Sequence, residues 1–137
     1  VNIIPMAWAD AVSLFKHPKT TPSMFPIFTS TAYPDPDNYL WSAYHSSQAG
    51  LWTNCGHYRN PKMDRLLEMT RATIDKSRLT RYYDQIQKAT LAQAVNIFCL
   101  STPDHHVFGP RIKDFSYCPV MGSDEDFYYF QTKGSAG

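Results

Sequence analysis

The run Tyr33-Pro34-Asp35-Pro36-Asp37-Asn38-Tyr39-Leu40 decides how the rest of this sequence is interpreted. Proline lacks a backbone donor and biases the residue before it toward extended conformations, so the run predicts a rigid turn. Asp35 and Asp37 each adjoin a proline, and aspartates in turns accept backbone N–H bonds. We therefore interpret both acids as turn-shaping residues rather than as paired catalytic carboxylates. The stretch 33–58 is predicted to be a long irregular loop, which in a compact domain usually has a function or is held by partners.

The residues just before this run predict a strand that ends at a cleft. The apolar residues Phe25, Ile27 and Phe28 lead into the small and mostly polar segment 29–32. Because the apolar start favours the core and the polar end favours solvent, we expect this strand to leave the core and reach a cleft.

Downstream of the loop, capping signals predict two helices. Asn60 can cap a helix that has Pro61 at its first position, and Asp75 is a plausible cap for the next helix. An earlier amphipathic helix is expected over 6–16, with Trp8, Val12 and Phe15 at near-helical spacing. The expected buried residues of the two capped helices are Met63, Leu66, Leu67 and Thr70, then Leu79, Tyr82, Tyr83, Ile86, Thr90 and Ala94.

Short runs rich in β-branched or aromatic residues predict strands around these helices. Together the elements predict an α/β (mixed α+β) fold. The runs outside 29–32 are 1–4, 97–100, 107–108, 115–117 and 127–130.

Composition narrows the classes of function. The 137 residues suit one domain, and 43% of them are hydrophobic, which is enough for a core. With 13 basic and 12 acidic residues the net charge is +1, so the chain has no strong positive electrostatic field to attract nucleic acid. The aromatic share of 15% fits core packing and also fits aromatic walls around a small ligand. No apolar run approaches the ~20 residues that span a bilayer.

No common catalytic or metal-binding motif is present. The chain lacks the GxSxG, HExxH, GxGxxG and P-loop patterns, so it is not expected to be an enzyme, and no cofactor or metal is expected. His105 and His106 are interpreted as turn residues, because neighbours on an extended segment point to opposite faces. The dense segment 54–58 is either a ligand wall or metal contact, or a loop packed on the next helix, and we favour the loop. Pairing among Cys55, Cys99 and Cys118 stays open.

The order of these motifs resembles the family 5 extracellular solute-binding proteins, which serve dipeptide, oligopeptide and nickel importers. The run 33–40 resembles their Y-x-D-P-x-N-x-L segment, and Tyr44-His45-Ser46 resembles the F-H-S that often follows. Two further patterns, N-x3-Y-x-N-P-x2-D-x-L-L and D-x2-R-x3-Y-x3-I-Q, are matched in order. The matching residues are Asn54, Tyr58, Asn60, Pro61, Asp64, Leu66 and Leu67, then Asp75, Arg78, Tyr82, Ile86 and Gln87.

The resemblance implies the C-terminal part of a type II periplasmic-binding-protein clamshell without catalytic activity. Residues 1–106 would belong mainly to the second lobe, 107–132 would form strands returning toward the first lobe, and 133–137 would be a flexible tail. The implied function is substrate capture for an ABC importer, in the periplasm or outside the cell, with a lipid anchor as one option. The implied partners are a small solute and a membrane permease.

The resemblance also points to the ligand segment, and there this chain departs from the family. Peptide-binding members carry a Trp and an Asp just before the D-P motif, at positions that hold Thr29 and Ala32 here. A buried ammonium without a counter-charge is costly. We therefore expect a ligand not held through a peptide amine, with a metal chelate, a sugar, an opine-like solute or a receptor-like sensing role as alternatives. The expected ligand-binding residues are Thr29, Ser30, Thr31, Ala32 and Tyr33, with His45 as a weaker candidate.

One lobe of a clamshell cannot close alone. We therefore expect the 137-residue chain by itself to bind the ligand weakly or not at all. Its exposed apolar surface should also favour self-association.

Overall fold

The computed structural model describes residues 2–29, 31–101, 103 and 105–113. Within them the chain forms four α-helices joined by turns and irregular segments. The helices are α1 (Trp8–Phe15), α2 (Pro36–Tyr44), α3 (Pro61–Arg71) and α4 (Lys76–Gln93), with 3-10 turns at Ser46–Gln48 and Trp52–Asn54. Among the described residues no helix is both long and apolar enough to cross a membrane.

The start of α2 corrects the prediction of an irregular loop over 33–58. Asp35 caps the helix, because its side chain accepts a hydrogen bond from the backbone N–H of Asp37 at 2.8 Å. Pro36 occupies the first helical position, where its fixed φ suits a helix and its missing donor costs nothing. The two residues that predicted a turn therefore begin a helix, which runs to Tyr44.

The caps of α3 and α4 are confirmed. The Asn60 side chain accepts hydrogen bonds from Lys62 and Met63, and Asp75 caps α4 in the same way. One position of the predicted buried stripe is wrong, because Ala94 is exposed and lies beyond the helix. It adopts the left-handed conformation with φ 48°, which ends α4 one residue before the predicted stripe does.

The core lies where α2, α3 and α4 meet. Its buried residues come from all three helices, so no pair of helices would bury them alone. They are Leu40, Ala43, Tyr44, Met63, Leu67 and Ile86. The predicted helix near the N-terminus is present as α1, which buries Ala11 and Phe15. The Phe15 ring meets that of Phe25 edge-on, with centroids 4.8 Å apart.

None of the predicted strands forms in the described residues. The segments 2–4, 31–32, 97–100 and 107–108 have no strand structure, and Ile112 makes only an isolated bridge. A strand needs a neighbour for its backbone groups, and sequence pattern alone does not supply one. Apolar side chains on these segments face solvent, with Ile97 75% exposed. The α/β class, the clamshell and self-association therefore stay predictions. The predicted strands at 115–117 and 127–130 and the tail at 133–137 lie outside the described residues.

Candidate functional site

The first turn of α2 holds the predicted ligand segment in place. The side-chain oxygen of Asn38 accepts the backbone N–H of Ala32 at 2.9 Å. The backbone N–H of Asp35 donates to the carbonyl of Tyr33 at 2.8 Å. The Tyr33 hydroxyl reaches Asp37 Oδ2 with a longer hydrogen bond of 3.4 Å. The motif thus holds Ala32 and Tyr33 in place, and we call residues 31–33 the presented segment.

The presented segment faces solvent. Thr31 and Ala32 are exposed, as is Thr29 just before them, and Tyr33 is 40% exposed. Ser30 lies outside the described residues. Two shallow depressions of about 350 and 250 Å³ are lined by residues of α3 and of α4, and no residue of this segment lines either. The described residues therefore present these candidate ligand-binding residues on a surface rather than in a closed pocket.

Asp37 joins the start of α2 to the end of α3. Its two carboxylate oxygens accept hydrogen bonds from Arg71 Nε at 2.8 Å and Nη2 at 2.9 Å, a bidentate pair. The guanidinium of Arg71 also lies 3.5 Å from the ring centroid of Trp41. The hydrogen bond to Asp37 raises the pKa of Arg71 above its usual value. The Asp37 carboxylate is therefore already neutralised by a partner within the fold.

Asp35 joins the same turn to α4. Its Oδ1 accepts the Tyr83 hydroxyl at 3.1 Å in addition to the backbone N–H of Asp37. Burial, together with the hydrogen bond to Asp35, raises the pKa of Tyr83 to about 12. The interpretation of Asp35 and Asp37 as structure-forming residues is confirmed, although they form a helix start and two interhelical bonds rather than an isolated turn.

We expect Tyr83 to make stability depend on alkaline pH. The pKa of a tyrosine is ordinarily about 10, and that of Tyr83 is about 12 in the folded protein, so folding favours the neutral phenol. A raised pKa gives stability that is present below pH 10 and is lost as pH rises through about 12. Urea unfolding at pH 9 and pH 11.5 should show the wild type losing more free energy of unfolding than Tyr83→Phe.

Tyr82→Phe on the same helix is the matched control, and it should lose as much as the wild type. Equal losses in the wild type and Tyr83→Phe would contradict the assignment of this alkaline loss to Tyr83.

His45 lies at the other end of α2 from the presented segment. The nine residues of α2 separate the two ends by about 13 Å at ~1.5 Å per residue. The His45 ring stacks on Trp41 with centroids 3.8 Å apart, and its Nδ1 is 2.7 Å from Ser47 Oγ. Its Nε2 is buried, has no hydrogen-bond partner, and lies 3.8 Å from Glu68 Oε1. The structure therefore does not bring His45 together with the other candidate residues.

The polar cluster at 54–58 is a packed loop, but the hydrogen bonds of Asn54 tie it to the end of α2 rather than to the following helix that we favoured from the sequence. Asn54 is buried, and its amide donates to the carbonyls of His45 at 3.4 Å and Tyr58 at 3.1 Å. Its side-chain oxygen accepts the backbone N–H of Tyr58 at 2.8 Å. All three hydrogen bonds are to backbone groups of this chain, so the Asn54 side chain is used to hold the loop against the end of α2.

Sequence reasoning missed three residues that support the site. Arg71, Trp41 and Tyr83 were not singled out as functional, and Tyr83 was expected only as part of a buried stripe. Arg71 is 34 residues from Asp37, and Tyr83 is 48 residues from Asp35. No local pattern connects residues at such separations, so only the packing of the three helices identifies these pairs.

The described residues contain no group of three or more His, Cys, Asp or Glu side chains placed to hold a metal ion. Cys55 and Cys99 are both free thiols, and Cys118 lies outside the described residues. Burial raises the pKa of the Cys55 thiol. A raised pKa disfavours the thiolate, which is the form that reacts and binds metals.

Comparison with known proteins identifies a distant relative. The chain is 27% identical over 92 residues to the probable D,D-dipeptide-binding periplasmic protein DdpA of Escherichia coli strain K12. The match covers 67% of this chain and 18% of that protein. No protein-family model matches the chain, and no solved structure matches it either. The similarity indicates a distant relationship to periplasmic solute-binding proteins.

Proposed function

We propose that this chain is part of the substrate-binding component of an ABC importer, related to the family 5 solute-binding proteins. It would capture a peptide-like or other small solute outside the cytoplasmic membrane and deliver it to a permease. The observation that carries the proposal is the similarity to a dipeptide-binding periplasmic protein over two thirds of the chain. The match covers only 18% of that protein, and the order of the family 5-like motifs supports our proposal that the chain forms the end of the second lobe of a clamshell.

The geometry around the presented segment supports a binding role without catalysis. Ala32 and Tyr33 are held by hydrogen bonds and remain exposed, so they can meet a ligand without first being ordered. The acids beside them are engaged by Arg71 and Tyr83. A general acid or base must reach its substrate, and carboxylates held this way are poorly placed to do so.

The same engagement bears on the chemistry of the ligand. A ligand ammonium needs a carboxylate that is not already neutralised, and Ala32 supplies none. Asp37, the acid that contacts the presented segment, is paired bidentately with Arg71. We therefore propose a ligand that this segment recognises through neutral hydrogen bonds. A modified peptide, a sugar, a metal chelate or an opine-like solute has suitable groups.

Calorimetric titration of the full-length protein tests this proposal. The panel comprises di- to pentapeptides, a D,D-dipeptide, and the N-acetylated form of each. We expect acetylation of the amine to change the affinity of any bound peptide by less than about tenfold, or ~1.4 kcal/mol. Tight, sequence-tolerant peptide binding that acetylation abolishes would overturn the proposed ligand chemistry.

A receptor-like sensing role is the second candidate, since the same fold could present its ligand to a signalling partner. Uptake of the bound solute into vesicles that contain the cognate permease would support import. Ligand binding without uptake in the same vesicles would favour sensing.

A further inference from the structure

The contacts of Arg71 extend beyond its own helix to the presented segment. Arg71 lies in the last turn of α3, and its guanidinium donates two hydrogen bonds to the Asp37 carboxylate in the first turn of α2. Asp37 in turn accepts the Tyr33 hydroxyl, and the next residue, Asn38, accepts the backbone N–H of Ala32. A continuous series of hydrogen bonds therefore connects α3 to the surface that would meet a ligand.

The chemistry of this contact requires arginine. A guanidinium is a planar fork that matches both carboxylate oxygens, whereas an ammonium is a point charge that cannot fix the orientation of the carboxylate. The indole of Trp41, 3.5 Å from the guanidinium carbon, supports the plane of the fork by stacking. The Asp37 side chain is 16% exposed and that of Arg71 is 45% exposed, so water screens the pair only in part. The first turn of α2 is thus fixed to α3 in orientation as well as in position.

We propose that Arg71 is a positioning residue for the presented segment. Acting through Asp37, it holds the first turn of α2 so that Asn38 keeps the Ala32 backbone in the conformation that a ligand meets. The effect on ligand affinity rests on the proposed function, whereas the effect on the segment itself does not.

Amide hydrogen exchange at Ala32 tests the positioning directly. In the wild type the Ala32 N–H donates to the Asn38 side chain, so we expect it to be protected from exchange. We expect Arg71→Ala and Arg71→Lys each to accelerate its exchange by about tenfold, a loss of ~1.4 kcal/mol of protection. Asn38→Ala, which removes the acceptor itself, sets the largest acceleration available. The amide of Leu67 in the middle of α3 reports whether the helices remain folded.

Arg65→Ala is the matched control, because Arg65 lies on α3 and makes no ion pair among the described residues. Its Ala32 exchange should equal that of the wild type. If the Arg71 variants leave Ala32 exchange unchanged while Asn38→Ala accelerates it, the proposal is wrong. If Ala32 and Leu67 accelerate equally in Arg71→Lys, Arg71 is merely structural, and the proposal also fails.

Ligand affinity gives a second reading in the full-length protein. With the tightest-binding member of the peptide panel as probe, we expect Arg71→Lys to weaken binding about tenfold at a melting temperature close to that of the wild type. An unchanged dissociation constant would overturn the role of Arg71 in binding. If the wild type binds no probe, the peptide function fails, and the exchange experiment still decides the positioning role.

Discussion

Replacing Asn54 by alanine is expected to lower the free energy of unfolding by about 3 kcal/mol. Asn54 is 3% exposed and makes three hydrogen bonds that close the loop between α2 and α3. The substitution leaves the N–H of Tyr58 and the carbonyls of His45 and Tyr58 without these partners. Each unsatisfied buried group costs about 1–3 kcal/mol, and partial access of water lowers the sum. Urea unfolding followed by circular dichroism measures the change.

Asn54→Asp keeps the hydrogen-bond acceptor of this side chain but removes its two amide donors, so it tests the two roles separately. The carboxylate still accepts the Tyr58 N–H, but it places negative charge beside two carbonyl oxygens that the amide had donated to. Folding therefore favours the protonated acid and raises its pKa. Relative to the wild type, the variant should therefore be most stable below about pH 3.9, and the difference should grow against it as pH rises through the raised pKa.

Asn96→Ala, at an exposed position, is the control and should change the free energy of unfolding by less than about 0.5 kcal/mol. An Asn54→Ala protein as stable as this control would show that the three bonds add nothing to stability.

Leu67→Ala should lower the free energy of unfolding by about 3 kcal/mol, and it should destabilise α2, α3 and α4 together. Leu67 is fully buried on α3, in the cluster that also contains Leu40 of α2 and Ile86 of α4. Removing its side chain loses transfer free energy and leaves a cavity that the neighbouring helices fill only in part. The urea midpoint should fall, and probes on α2 and α4 should report the same transition.

The matched control is Leu91→Ala on α4, where the leucine is 66% exposed and the same atoms are removed. We expect it to lower the free energy of unfolding by less than about 0.5 kcal/mol. Comparable losses at the two leucines would contradict a core centred on Leu67. Separate transitions for the helices would show that they do not share one cooperative core.

Helix starts were predictable from the sequence because caps are local. Asn60 with Pro61 and Asp75 bond to N–H groups within the next three residues, so spacing alone reveals them. The same chemistry at Asp35 and Pro36 was interpreted as a turn, since a second proline just before them favoured extended backbone. The strands at 2–4 and 97–100 were wrong for the described residues, because a strand needs a neighbour that its own sequence does not specify.

By itself the sequence determined where three of the helices lie, which faces of α3 and α4 are apolar, and that the acids near Pro36 shape the backbone. Only the tertiary structure decided what holds the presented segment. It pairs Asp37 with Arg71 and Asp35 with Tyr83, and it places His45 at the far end of α2. The physical reason is range: caps and helical periods act over three or four residues, whereas these bonds connect residues that meet only after three helices pack around one core.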